Sequence, residues 1–253
     1  ATGHYARVEK CQVSWDERQV SSVKHHDKNK YKSLEKFRLL AAVDLSKDQS
    51  YFLYNLKQEH LSRTLFPIGH LTKVEVRCIA KNIGLPNASK KDSQGICFIG
   101  DVEMREFLSG MVKTKIGNVV NSKGRVLGRH EGLAYYTIGQ REGLAISERV
   151  PHYVVAKRPK QNRLIVAPLG EDAHFESKIK ISKISWVGEK PALESKIQAR
   201  IRYRQPLFEA KISDLGKETL TVTCLEPQRA VTSGQSLVIY SESENVLGGG
   251  VIV

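Results

Sequence analysis

No stretch of these 253 residues is apolar for long enough to span a bilayer, and none has the layout of a signal peptide. A membrane-embedded or secreted protein is therefore not expected, and reduced thiols in a cytoplasmic setting are. The four cysteines, Cys11, Cys78, Cys97 and Cys224, form no CxxC pair, which argues against zinc ribbons and thioredoxin-like dithiol sites. His25 and His26 are adjacent but lack the cysteine or carboxylate pattern of a metal site, so no metal is expected. Acidic residues are in short supply. Asp and Glu number 27 against 40 Lys and Arg, giving a formal charge of +13 and a pI near 9.6. That imbalance points to a polyanionic partner, nucleic acid first, although a lysine-rich surface alone would give the same figure.

The chain is long enough for more than one domain. Residues 12–38 are polar and basic ("KHHDKNKYKSLEKF") and read as a solvated insertion. "LLAAVDL" (39–45) has the texture of a buried strand, and "SYFLYNLKQEHLSRTLF" that of a helix. Thr72 and Glu75 make a capping box, Leu71 can staple onto Val76, and Val76, Ile79, Ala80 and Ile83 recur at helical spacing before the Gly84 stop. Cys78 lies beside that stripe and is expected to pack against a core. Asp101 can cap a further helix with Met104, Phe107, Leu108 and Met111 on its apolar face. From about Gly117 the texture changes to short segments broken by glycine. After Pro151, paired apolar runs flank "PKQN" and "DLGK", and the chain closes on "SLVIYS" and "VLGGGVIV". Such spacing suggests a small closed β-barrel, with Cys224 in its core.

Three stretches could carry chemistry. In "KKDSQGICFIG" (90–100), Cys97 stands between Gly95 and Gly100, four residues before the expected helix start at Asp101. A thiol acts as nucleophile or sulfur carrier only as thiolate, and a helix N-terminus with Lys90 and Lys91 nearby favours that form. A buried cysteine in "ICFI" is the plainer alternative. In "KIQARIRYRQP", read as a strand, Arg200, Arg202 and Arg204 share a face at about 6.6 Å intervals, comparable to phosphate spacing along a nucleic-acid strand. A solvated strand face would look the same. In "YYTIGQREGLAI", Gln140 and Arg141 lie between glycines and could reach bases or simply turn a hairpin corner.

Together these stretches resemble the tRNA-specific 2-thiouridylases, the MnmA family, over nearly the whole chain. "ATGHYAR", "SKDQSYFLYNL", "LFPIGHLTKVEVRCIAKNIGLPNASKKDSQGICFIG", "YYTIGQREGLAI" and "ARIRYRQP" occur in the family's order, and "KKDSQGICFIG" is the most specific. The resemblance implies an α+β multidomain fold. Its parts are a remnant of an α/β nucleotide-binding (PP-loop) domain at 1–63, a small mixed α/β central domain with the cysteine motif at 64–150, and a C-terminal antiparallel β-barrel at 151–253.

It also implies the reaction, an ATP-dependent transfer of sulfur to C2 of the wobble uridine in tRNAs for Lys, Glu and Gln. ATP, with Mg as its counterion, adenylates the uridine's 2-oxygen. A persulfide on Cys97 supplies sulfur, loaded by a cysteine desulfurase or sulfur relay protein. A second cysteine then releases the sulfur by forming a disulfide with Cys97. By the same resemblance Gly3 matches an ATP contact. His4, Lys47, Asp48, Gln49, Arg202, Tyr203 and Gln235 match tRNA contacts.

The departures are as informative. The family's SGGxDS loop and its second cysteine are absent from these residues, and Glu142 replaces a commonly basic position. The 253 residues are thus expected to be a piece of the enzyme, inactive alone and without tight ATP binding. A non-catalytic, translation-associated RNA-binding barrel would explain the arginines but not Cys97. A thiol redox enzyme would explain Cys97 but not the charge.

Overall fold

The computed structural model describes residues 4–11, 36–90, 92, 104–146, 148, 150–168, 175–242 and 244–253. Gly3, Cys97, Asp101 and the histidine pair of the insertion lie outside the described residues. In chain order the elements begin with strands β1 (Arg7–Cys11) and β2 (Lys36–Leu40), followed by helices α1 (Gln58–Leu61), α2 (Lys73–Asn82) and α3 (Met104–Ser109). Strands β3 (Gly117–Val120), β4 (Val126–His130), β5 (His152–Arg158) and β6 (Arg163–Pro168) follow. The chain ends in β7 (Phe175–Trp186), β8 (Lys196–Arg200), β9 (Phe208–Leu215), β10 (Thr219–Arg229), β11 (Ser236–Tyr240) and β12 (Asn245–Ile252).

These residues fall into two compact units. One comprises Ala1–Ser89, Ser177–Glu226 and Ser233–Val253, and the other Lys90–Glu176 with Pro227–Thr232. In the first, β12, β11, β8, β9, β10 and β7 pair in that order, and β7 pairs back onto β12, so the sheet closes into the expected barrel. Alternation drives the closure. Ile197 and Ala199 of β8, Ala210 and Ile212 of β9, and Leu220, Val222 and Cys224 of β10 are buried at every second position. Strand β11 is buried from Leu237 to Tyr240, because it lies between β8 and β12 with other elements packed outside it. Across from it, a Cβ on Gly249 would stand 2.5 Å from the Leu237 carbonyl oxygen and 2.9 Å from the Tyr54 ring. The glycine is what lets Tyr54 lie against the barrel wall.

The β1–β2 ribbon extends this sheet, with Asn245 and Val246 of β12 opposite Leu40 and Leu39 of β2. Gln58 pins α1 to the join. Its Oε1 accepts from Phe37 N at 2.8 Å, and its Nε2 donates to Phe37 O at 2.9 Å and Val187 O at 2.6 Å. The N-terminal segments and the barrel therefore share one core, built on Ala6, Leu39, Tyr51, Leu61, Val238 and Tyr240. Gly69 makes the tightest approach there. A Cβ at that position would stand 1.6 Å from the Ala6 carbonyl oxygen. Gly69→Ala should accordingly cost on the order of 1–3 kcal/mol through forced displacement of the fully buried Ala6 just before β1, read as a lowered Tm with unchanged far-UV spectrum.

The second unit holds a mixed four-stranded sheet of order β4-β3-β6-β5, in which β3 and β6 run parallel and the other pairs antiparallel. Val119, Leu127, Tyr136, Val154, Leu164 and Val166 form its core.

In the second unit β6 pairs with β3 and β5 with β6, and residues 64–89 group with the first unit. Alternating apolar strands look alike whichever sheet receives them. Several expectations are corrected. The segment expected as one helix from Ser50 holds only a 3-10 turn, Ser50–Phe52, and the four-residue α1. Helix α2 has its capping box, with the Thr72 hydroxyl accepting from Glu75 N and the Glu75 carboxylate accepting from Thr72 N, but none of its residues is buried. Ile79, Ile83 and Cys78 are exposed, so Cys78 is not the packed thiol expected. In α3, Phe107 and Leu108 are half-buried, and Met111 lies beyond its end, exposed.

Candidate nucleic-acid interface

Strand β8 stops at Arg200, and the three-arginine face does not form. Residues 201–204 turn instead, with Gln205 N donating to Arg202 O at 3.2 Å and Arg204 at φ +63°, in left-handed backbone. The three arginines separate. Arg200 points inward and is 5% exposed, Arg202 is half-buried, and Arg204 is exposed.

Arg200 goes inward because Asp48 is there. The Asp48 carboxylate is buried and fully engaged: Oδ1 accepts from Ala42 N and Ser50 N, each at 3.1 Å, and Oδ2 from Ser50 Oγ at 2.8 Å. Arg200 completes the set with a nitrogen 3.3 Å from Oδ2, and its guanidinium lies over the Tyr240 ring, 4.9 Å from the centroid. The Ser50 hydroxyl shares a hydrogen bond with the Tyr240 hydroxyl at 3.1 Å. Burial pushes the Tyr240 phenol far above its usual range, so it stays neutral. The Asp48 carboxylate is satisfied from several sides, which makes the buried pair tolerable, although Arg200 Nε is enclosed without a hydrogen-bond partner.

The turn before Asp48 is built by Asp44. Its Oδ1 accepts from Ser46 Oγ at 2.6 Å and Ser46 N at 3.1 Å, and its Oδ2 from Lys73 N at 2.9 Å. The Ser46 hydroxyl, then the Lys73 amide, hold this carboxyl below its usual range. The turn and the first residues of α2 are thereby fastened together. Gln49 then clasps the chain beside His4, with Gln49 N donating to Tyr5 O at 2.8 Å and Tyr5 N to Gln49 Oε1 at 3.1 Å.

Tyr51 makes the remaining connection. Its buried hydroxyl lies 2.8 Å from Ser236 O and 3.1 Å from Ile201 O, carbonyls that follow Gln235 and precede Arg202. The Ser236 hydroxyl in turn donates to Tyr54 Oη at 3.1 Å. Phe52 follows with its ring centroid 4.7 Å from that of Tyr203.

Four separated segments are thus drawn into one cluster: residues 4–5, 47–52, 201–204 and 235–236. Lys47, Gln49, Arg202, Tyr203, His4 and Gln235 are all half-buried within it. Among the described residues, His4 Nδ1 and Gln235 Oε1 are enclosed without a hydrogen-bond partner. Asp48 differs from the others, because its side chain is withdrawn from the surface and acts on the turn's shape. Reading the sequence alone placed Arg200 on the solvated face and missed Tyr240 and Tyr51. The alternation of "SYFLYNL" was available as a signal, but it fits a helix face equally well.

Elsewhere the Gln140 amide serves its own turn, accepting from Thr137 N at 2.9 Å and donating to Glu142 O at 2.8 Å, while Arg141 stays exposed. That favours the hairpin-corner reading for Gln140. Among the described residues no cluster of three metal-ligating side chains occurs, and the cysteines there, Cys11, Cys78 and Cys224, are free thiols. No described helix is long and apolar enough to cross a membrane.

Three family profiles match the chain in succession: the tRNA methyl transferase HUP domain over 1–101, the tRNA methyl transferase PRC-barrel domain over 105–168, and the aminomethyltransferase beta-barrel domain over 176–252. Among curated proteins, the chain is 40% identical over 254 residues to a tRNA-specific 2-thiouridylase MnmA of Gloeothece citriformis, covering all of this chain and 66% of that protein. It is 43% identical over 260 residues to the one of Nitrosomonas eutropha, covering all of this chain and 65% of that relative. To the one of Alcanivorax borkumensis it is 44% identical over 225 residues, which is 86% of this chain and 61% of the relative. The chain thus spans slightly under two thirds of the length of these relatives.

Proposed function

Because the chain belongs to the tRNA-specific 2-thiouridylase family, we propose that it is the tRNA-holding and sulfur-carrying portion of an enzyme that thiolates C2 of the wobble uridine in tRNAs for Lys, Glu and Gln. The observation that carries this reading is the cluster drawn together at 4–5, 47–52, 201–204 and 235–236, in a protein of net charge +13.

In this reading Arg202 meets a phosphate, while His4, Lys47, Gln49, Tyr203 and Gln235 line the same contact surface. Asp48 and Arg200 hold two of its turns in place from below. Cys97 carries the persulfide, loaded by a cysteine desulfurase or a relay protein. ATP is a co-substrate. The uridine 2-oxygen attacks its α-phosphorus and pyrophosphate leaves, which converts a poor leaving group into AMP. The terminal sulfur of the Cys97 persulfide then replaces that oxygen at C2. The partner thiol of the nucleotide domain closes a disulfide on Cys97 as the S–S bond of the persulfide breaks. Gly3 belongs to the nucleotide site. A polypeptide of these 253 residues alone, without an SGGxDS loop, performs no adenylation.

The test of the surface is tRNA binding across a salt series. Arg202→Ala should weaken binding and reduce the magnitude of the log–log salt slope by about one, measured below the variant's own Tm. An unchanged slope would remove Arg202 from the phosphate contacts. The non-catalytic barrel reading is separated by incubating the protein with a cysteine desulfurase and probing for persulfide, which this proposal requires at Cys97 and that reading does not.

A further inference from the structure

Phe52 is 54% exposed, in the middle of the cluster just described. The 3-10 turn accounts for its direction. Tyr51 is drawn inward by its hydroxyl, Leu53 packs against the barrel core, and the residue between them is sent outward. The exposed ring is nevertheless held on two sides. Tyr51 meets it edge-on at 5.4 Å with an interplanar angle of 78°, and Tyr203 lies at 4.7 Å, tilted by 43°. Behind Tyr203, the Arg204 guanidinium sits 5.2 Å from the ring centroid.

The charges on the adjoining turns sum to positive. Asp48 is buried and cancelled by Arg200, while Asp44 keeps its charge and is outnumbered by Lys47, Arg202 and Arg204. An apolar ring presented to solvent, backed by a second ring and bordered by cations, suits a flat π-system attached to a polyanion. An apolar anchor from a protein partner would use the ring but not the surrounding charge.

We propose that Phe52, backed by Tyr203 and Arg204, is a stacking platform for an unpaired base of the bound tRNA. The assignment rests on the tRNA reading above and adds the ligand class at a residue outside the matched contacts.

The experiment compares the unsubstituted chain with Phe52→Leu, Phe52→Ala and Phe52→Tyr by fluorescence anisotropy, using an unmodified glutamate tRNA transcript and a fully paired RNA duplex over a salt series. Loss of one base–aromatic stack should weaken transcript binding by about 5- to 150-fold in the Leu and Ala variants and leave the salt slope unchanged, since no phosphate contact is lost. Phe52→Tyr should bind as the unsubstituted chain does, and duplex binding should not respond to any of the three. Phe52→Leu preserves apolar bulk against Tyr51 and Tyr203, and equal thermal unfolding establishes that its fold is intact. Transcript affinity unchanged in Phe52→Leu would overturn the platform, and so would an equal loss on the duplex. Failure of the unsubstituted chain to bind the transcript at all would instead overturn the tRNA reading, and the platform with it.

Discussion

Cys97→Ser, introduced into the enzyme with its nucleotide domain present, should reduce 2-thiouridine formation by on the order of 10³ or more while leaving tRNA affinity unchanged. Serine is close to isosteric with cysteine, but its oxygen cannot carry a sulfane sulfur. The loss therefore falls on the transfer step and not on binding. Mass spectrometry of nucleosides from the tRNA gives the first quantity, and filter binding the second. Residual thiolation above a few per cent would place the persulfide on another cysteine. Native iodoacetamide labelling supplies the companion measurement. Cys97 is expected to label first and to keep its reactivity below the unperturbed thiol value of about 8.5. Exposed Cys78 is the control for access without activation, and buried Cys224 the control for protection. If Cys97 labels no faster than Cys78, the preorganised thiolate is wrong.

Asp48→Ala should cost about 3–5 kcal/mol of stability, because it leaves Arg200 buried without its counter-charge. It also strips Ala42 N and Ser50 N of the carboxylate oxygen they share. For a chain of this size that corresponds to a fall in Tm of roughly 6–20 °C. The double variant Asp48→Leu with Arg200→Met should recover part of the loss, since removing both charges eliminates the stranded one. A fall in Tm under about 2 °C for the single variant would mean that water or backbone adjustment satisfies Arg200. Transcript binding should weaken in Asp48→Ala even below its Tm. The same carboxylate holds the 47–49 turn to the chain that leads into the 201–204 turn.

The two experiments separate what was legible in the residues from what was not. "KKDSQGICFIG" and "ARIRYRQP" are local strings, so their family resemblance and the chemistry it implies were available without coordinates. The capping box at Thr72 and Glu75 and the hairpins around "PKQN" and "DLGK" were also available, because caps and tight turns are decided within a few residues.

The fate of Arg200 was not available. Alternation predicted it on the same solvated face as Arg202 and Arg204, and nothing within five residues says otherwise. Its inward direction depends on a carboxylate 152 residues away in sequence. The exposed stripe of α2 failed for the related reason that periodicity shows which face of a helix is apolar, not whether another element covers it. Which strands β5 and β6 pair with was not legible either, because a period of two identifies a strand but not its neighbour. The sequence by itself therefore determined the capped start of α2, the tight turns and the family motif, all set by short-range geometry. Only the tertiary structure decided which arginine is buried, which aromatic faces solvent and which segments meet, since each depends on long-range pairs whose partners have no local signature.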